Sequence, residues 1–135
     1  MREIKISEIG SYATEQVEKL LRSAVFETDS LLKQASPVDT GRFRVSWAVG
    51  ENAAPYQGAP EGEYRGQVPP PLRVNYQMEK VGNTYSIHNN LPYAEPLATG
   101  VPHGSKQASP GWVQGVAKDV QTRVKTAAEK IGRTS

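Results

Sequence analysis

The sequence predicts an α+β domain in which a small antiparallel sheet packs against a long N-terminal helix and a C-terminal helix. Three observations lead to this class. Apolar residues recur at helical spacing near both ends, three middle segments alternate like strands, and a Pro/Gly-rich loop separates the first two strands. The 135 residues suit one domain, which we take as spanning residues 1–135.

Residues 11–35 have the pattern of an amphipathic helix. Pro37 is expected to stop this helix, because the residue before a proline is pushed out of the α region. The apolar residues that recur every three or four positions and form one stripe are Ala13, Val17, Leu20, Leu21, Ala24, Val25, Leu31 and Leu32.

Three segments are expected to form the sheet. Residues 40–51 alternate apolar and wettable side chains and predict the first strand. Residues 73–81 and 84–89 predict the second and third, joined by a tight turn at Gly82-Asn83. The last two strands are therefore expected to pair as a β-hairpin.

The segment between the first two strands, residues 53–71, contains five prolines and three glycines. Neither a helix nor a central strand persists in such a composition, so we predict a long flexible loop. A loop of this length is either functional or without fixed structure. One interpretation is an arm that orders against a neighbouring subunit, where Tyr56 and Tyr64 would pack; a mobile loop with no partner is the alternative.

The last helix is expected to begin at Ser109-Pro110 and to end at Gly132. One short element is expected before it, within residues 93–99. The helical stripe consists of Trp112, Val113, Val116, Val120, Val124, Ala127 and Ile131.

Charge and composition exclude several classes of protein. The net charge of +2 is too small to mark a nucleic-acid binder, although residues 101–135 carry six basic against two acidic residues. Cysteine is absent, which excludes disulfides, thiol catalysis and thiolate zinc sites. No apolar run reaches the roughly 20 residues that span a bilayer, so we expect a soluble protein without membrane contact.

The triplet Asp39-Thr40-Gly41 is also the active-site triplet of aspartic proteases, in which two carboxylates share a proton. Here it follows a long helix and precedes Arg42, a context that does not fit that class. We interpret it as a structural turn: Asp39 and Thr40 bond backbone amides, and Gly41 adopts a positive φ.

No other pattern supports catalysis or a cofactor. His88 and His103 stand fifteen residues apart, without the paired spacing of a metal site, and no phosphate-binding glycine loop occurs. Trp47 and Trp112 are expected to be packing anchors. We therefore expect a protein that is not an enzyme and that holds no cofactor or metal.

Two segments carry a resemblance to a known family. They are residues 36–47, SPVDTGRFRVSW, and residues 89–100, NNLPYAEPLATG. Together they resemble the head–tail joining, neck or tail-completion proteins of long-tailed bacteriophages, the family that includes minor-tail-protein-Z-like proteins. In that family the first segment follows a long helix, the second follows a strand, and a closing helix comes last, over roughly residues 8–131 here.

This resemblance implies a structural virion protein that completes the phage tail or joins it to the head. It would form a homo-oligomeric ring, expected to be a hexamer, at the head-proximal end of the tail. Its partners would be the tail terminator or tail tube protein and the head connector proteins, with passing contact to phage DNA. During assembly it would lie in the host cytoplasm.

Candidate residues for the subunit or partner interface are polar or aromatic side chains near the two segments and in the loop: Arg42, Arg44, Tyr56, Tyr64, Tyr93 and Glu95. Arg42 is also a candidate ion-pair partner of Glu95. The alternative function is a nucleic-acid-binding module that uses the basic C-terminal helix.

Overall fold

The computed structural model describes residues 6–99 and 111–134, with side chains described at 14–95, 97 and 111–130. In chain order the elements are α1 (Ile6–Ala35), α2 (Arg42–Val45), β1 (Ala48–Glu51), β2 (Arg73–Val74), β3 (Tyr85–His88), α3 (Ala94–Thr99) and α4 (Trp112–Thr134). The predicted α+β class is confirmed: a three-stranded sheet lies with an N-terminal and a C-terminal helix.

Both long helices form where the apolar spacing predicted them. α1 begins earlier than predicted and ends at Ala35, just before Pro37. α4 continues through Gly132 to Thr134, so that glycine does not end it. The predicted start at Ser109-Pro110 lies outside the described residues. The short predicted element over residues 93–99 is confirmed as α3.

The first predicted strand, residues 40–51, is wrong in its first half. Residues 42–45 form the helical turn α2, and only Ala48–Glu51 is strand. Phe43 and Trp47 are spaced by four as well as by twos, so their pattern fits a helical turn as well as a strand. Their rings meet edge to face at 5.6 Å, and both side chains are buried.

The predicted hairpin of residues 73–81 and 84–89 is also wrong. β2 and β3 lie on opposite sides of β1, which pairs in parallel with β2 and antiparallel with β3. The sheet is therefore mixed rather than wholly antiparallel. β2 ends after Val74 because Asn75 adopts a left-handed conformation, φ 64°, which a strand cannot continue. The turn at Gly82 is confirmed, with φ 100°.

The main core lies between the end of α1, α2 and the start of α3. Its buried members are Leu32, Phe43, Trp47, Leu91 and Ala94. Trp112 closes it from α4, with its ring 6.4 Å from that of Phe43 and 6.5 Å from that of Trp47. Both tryptophans are thus packing anchors, as predicted. Each indole also finds an acceptor within 2.9 Å: Ser36 Oγ for Trp47 and the Leu97 carbonyl for Trp112.

Candidate interaction surfaces

The two segments that carry the family resemblance form one structural unit. The side-chain amide of Asn89 donates to the Phe43 carbonyl at 2.8 Å. Leu91 and Ala94 of the second segment pack with Phe43 and Trp47 of the first. The buried apolar residues of the two segments therefore pack in one core, and they place the two turns beside each other.

The Asp39-Thr40-Gly41 turn has the predicted geometry. Gly41 has φ 85°, and Thr40 Oγ1 accepts the backbone N–H of Arg42 at 3.3 Å. The Tyr64 backbone N–H donates to the Thr40 carbonyl at 2.6 Å. A Cβ at position 41 would lie 2.6 Å from the Tyr64 carbonyl carbon, so glycine is required twice, for φ and for this close approach. The Asp39 side chain is exposed.

A cleft opens between this turn and α3, with a volume of about 270 Å³. We call it the cleft throughout. Its floor includes buried Phe43, and Tyr93 stands at its edge with 38% of its surface exposed. The cleft is lined by Pro37, Val38, Asp39, Thr40, Phe43, Tyr93 and Leu97.

Two predicted interface arginines make contacts inside the chain. Arg42 Nε donates to the Ala59 carbonyl at 2.8 Å, rather than pairing with Glu95 as predicted. Arg44 Nε donates to the Lys33 carbonyl at 3.1 Å, near the C-terminus of α1. Both residues are half-buried. Glu95 is exposed in the first turn of α3, and its role at an interface stays a prediction.

The loop between β1 and β2, residues 52–72, follows the surface of its own domain. Ala59 is buried, and its N–H donates to the buried Ser46 hydroxyl at 2.9 Å. The Tyr56 N–H donates to His88 Nε2 at 3.0 Å, and the Tyr64 hydroxyl donates to the Pro60 carbonyl at 2.8 Å. These bonds hold the loop against its own domain, and its role at a subunit interface stays a prediction.

A buried lysine fixes the end of this loop to α1. Lys33 and Asp29 are each 1% exposed, and Lys33 Nζ lies 2.8 Å from Asp29 Oδ2. The same ammonium donates to the Pro69 and Pro70 carbonyls at 3.1 and 3.2 Å, so all three of its donors are used. Burial raises the pKa of Asp29, and the Lys33 hydrogen bond and charge offset this only in part.

An apolar surface forms over this anchor. Phe26 is 56% exposed and Val68 is 51% exposed, beside the run Pro69–Pro71. With Asp29 and Ser30 these residues line a second concavity of about 270 Å³. We call Phe26, Val68 and Pro69–Pro71 the proline face. We therefore treat the proline face as a candidate protein-binding surface.

The connection from β2 to β3, residues 75–84, is held by a second buried carboxylate. We call it the tip loop. Glu79 is fully buried and accepts two bonds from Arg73, at 2.7 and 2.9 Å, and one from the Tyr76 hydroxyl at 2.5 Å. Burial alone would raise the pKa of Glu79, but the bonds from Arg73 and Tyr76 outweigh it and lower the pKa. The pKa of Tyr76 is raised, by burial and by Glu79.

The tip loop presents apolar side chains to solvent from this fixed base. Met78 is 46% exposed and Val81 is 50% exposed. Between them, the Lys80 backbone N–H donates to the Tyr85 hydroxyl at 2.7 Å, and that hydroxyl donates to Glu51 Oε2 at 2.8 Å. The backbone that carries Met78 and Val81 is therefore tied to both β1 and β3.

Neither buried pair was identified from the sequence. The burial of Asp29 could have been predicted from its position. Residues 25, 29, 32 and 36 are spaced to lie on one face of a helix, and Val25 and Leu32 on that face belong to the apolar stripe. A carboxylate on that stripe, with Lys33 one turn later, indicates a buried ion pair. Glu79 had no such signal, because its partners depend on the irregular course of the tip loop.

The basic C-terminal helix is partly neutralised. Arg123 lies 3.2 Å from Asp119 and 3.7 Å from Glu27 of α1, while Lys118 and Lys125 are exposed. In the part of the chain that the structure describes, no group of His, Asp and Glu is arranged to hold a metal ion. Over the same residues no helix is both long and apolar enough to cross a membrane. His103 lies outside them.

No protein-family model, curated protein or solved structure matches this chain. The link to a known class therefore depends on the two short segments at residues 36–47 and 89–100, and on the unit that they form together.

Proposed function

We propose that this protein is a structural component of a phage virion that completes the tail or joins tail to head, as a ring at the neck. Its partners would be further copies of itself, the tail terminator or tail tube protein, and the head connector proteins. The proposal is supported by the two resembling segments, which meet in one folded unit.

The observation that carries the proposal furthest is the proline face. Phe26 and Val68 each leave about half of their surface in water, although the buried Lys33 ammonium fixes the Pro69 and Pro70 carbonyls that follow Val68 in the chain. A preformed apolar surface loses little conformational freedom when a partner covers it. An assembly protein needs such a surface, because its work is to bind neighbours in a fixed geometry.

Light scattering on the purified protein, alone and with phage tails assembled in its absence, tests this function. We expect either a mass above the 14.7 kDa of one chain that grows with concentration, or monomers that tails capture. A monomer that ignores both its own concentration and the tails would contradict the proposal.

Variants of exposed apolar residues inside and outside the proline face test whether capture by tails depends on that face. The double variant Phe26→Asp, Val68→Asp should lose capture by tails, because carboxylates oppose apolar contact. Val17→Asp is the control, since Val17 is 45% exposed on α1 outside this surface. Equal loss of capture in both variants would remove the proline face from the proposal.

A further inference from the structure

The tip loop and the cleft lie at opposite ends of the sheet. β3 pairs with β1 in antiparallel register, with Glu51 opposite Tyr85 and Ala48 opposite His88. The tip loop leads directly into Tyr85, whereas the cleft residue Tyr93 follows His88 by five positions and α2 directly precedes β1. One molecule thus presents an apolar projection at one end and an apolar concavity at the other.

The tip loop has the properties of an inserting element. Met78 and Val81 are both about half exposed, and their backbone is fixed by the buried Glu79 and by the Tyr85 hydroxyl. Methionine adapts its shape to irregular apolar sites. Residues 75–84 contain two charged side chains. Glu79 is buried against Arg73, so Lys80 is the exposed one.

The cleft has complementary properties. Its apolar lining comes from Pro37, Val38, Phe43, Tyr93 and Leu97, and its polar edge comes from Thr40 and the exposed carboxylate of Asp39. Its volume of about 270 Å³ is that of a site for side chains rather than for a whole helix. An approaching Lys80 would find Asp39 at the edge while Met78 and Val81 met the apolar lining.

We propose that the tip loop of one copy of this chain inserts into the cleft of the next copy, with Lys80 facing Asp39. This inference rests on the proposed function and names the contact between subunits. Because the two surfaces differ, the contact is heterologous, and it generates a closed ring when the rotation between copies closes. The proline face then remains available to a different neighbour in the virion.

Cross-linking between single cysteines tests the contact, because the chain has no cysteine of its own. Met78→Cys and Thr40→Cys are mixed at high concentration with a short bismaleimide. We expect the mixture to give a covalent dimer and each variant alone to stay monomeric. A chain that carries both cysteines should give a ladder of higher species.

Val17→Cys mixed with Thr40→Cys is the control, because Val17 is as exposed as Met78. A yield from Met78→Cys no greater than from this control would overturn the proposal. Adding Lys80→Asp to the Met78→Cys chain should reduce the yield severalfold, and Asp39→Lys in the Thr40→Cys chain should restore it. A dimer yield that neither Lys80→Asp nor Asp39→Lys changes would also overturn the assigned contact.

The cross-linking result and the tail-capture result fail independently. Capture by tails without the 78–40 cross-link would leave the proposed function in place and remove the tip-to-cleft contact. A specific cross-link without capture by tails would do the reverse: the contact between copies would stand, and the virion role would not.

Discussion

The loop before β2 and the loop after β2 are each held by a buried ion pair, but the two pairs join residues at very different distances along the chain. The 52–72 loop is held from α1, where Asp29 pairs with Lys33. The tip loop is held by its own Glu79, which pairs with Arg73 of β2. Lys33 belongs to α1 and bonds carbonyls 36 and 37 positions away in the sequence. Arg73 and Glu79 are only six positions apart. One pair connects distant parts of the chain, and the other braces a single loop.

This difference decides what each pair contributes to the molecule. Loss of the Lys33 ammonium would leave Asp29 buried without its cation and would release the Pro69 and Pro70 carbonyls together. Loss of Glu79 would leave Arg73, which is 28% exposed, able to turn towards water. The first change should therefore affect the stability of the whole domain, and the second mainly the order of the tip loop.

The largest effect is expected for Lys33→Met. Removing one partner of a buried ion pair costs about 3–5 kcal/mol, because the remaining charge stays desolvated. The free energy of unfolding, measured by urea denaturation, should fall by about that amount. Lys19→Met is the control, since Lys19 and Glu15 form an exposed pair with the same spacing in α1, and such pairs contribute less than about 1 kcal/mol.

Gly41→Ala should give the next largest effect, because Gly41 meets the 52–72 loop directly. The left-handed φ alone costs alanine about 1–2 kcal/mol, and the Cβ would also lie 2.6 Å from the Tyr64 carbonyl oxygen. Gly66→Ala separates these costs, since Gly66 has φ 83° and no atom within 4 Å of an added Cβ. If both variants lose the same free energy of unfolding, the close approach of the added Cβ to Tyr64 costs nothing, which would contradict this account.

A smaller and more local effect is expected for Glu79→Gln. The neutral amide keeps the shape of the side chain but loses charge-assisted bonds to Arg73, at a cost of about 1–3 kcal/mol. Hydrogen exchange should accelerate at residues 76–81 more than at Ala59 or Tyr64. Acceleration spread evenly over both loops would contradict the division between a long-range anchor and a local brace.

The smallest effect concerns pH, and the two carboxylates should respond with opposite sign. The lowered pKa of Glu79 means that its stabilisation is present above the ordinary value of 4.5 and is lost as pH falls through its folded-state pKa. The raised pKa of Asp29 means that its contribution is most favourable below 3.8 and declines as pH rises through its folded-state pKa.

Urea unfolding of the wild type, Glu79→Gln and Asp29→Asn between about pH 3 and pH 7 checks this pair of signs. The stability difference between wild type and Glu79→Gln should shrink on acidification. Between wild type and Asp29→Asn, acidification should instead shift the difference in favour of the wild type. The same direction of change in both comparisons would contradict the assignment.

The helices and the turn were predictable from the sequence because their signals are local. The stripe from Val25 to Leu32, the stop at Pro37 and the positive φ of Gly41 depend on neighbouring residues alone. The pairing of β1 with β2 and β3 was not predictable, since strands of four, two and four residues carry too little pattern to fix a partner.

The surfaces were the least predictable part of the molecule. The candidate residues Arg42 and Arg44 were chosen for their charge, but a carbonyl of the chain's own loop and the end of α1 engage them. No sequence pattern indicated that Met78 and Val81 would be exposed, because residues 73–81 are predicted as a strand of the sheet. The fold leaves both side chains about half exposed beside the buried Glu79.

The central claim is that buried polar anchors order the 52–72 loop and the tip loop before any partner binds. Amide hydrogen exchange of the isolated, dilute protein tests it most directly. The account predicts slow exchange at Ala59, Tyr64 and Lys80, whose N–H groups donate to Ser46, Thr40 and Tyr85. Exchange of these three amides at the rate of an unstructured chain would contradict it, because both loops would then be ordered only by assembly.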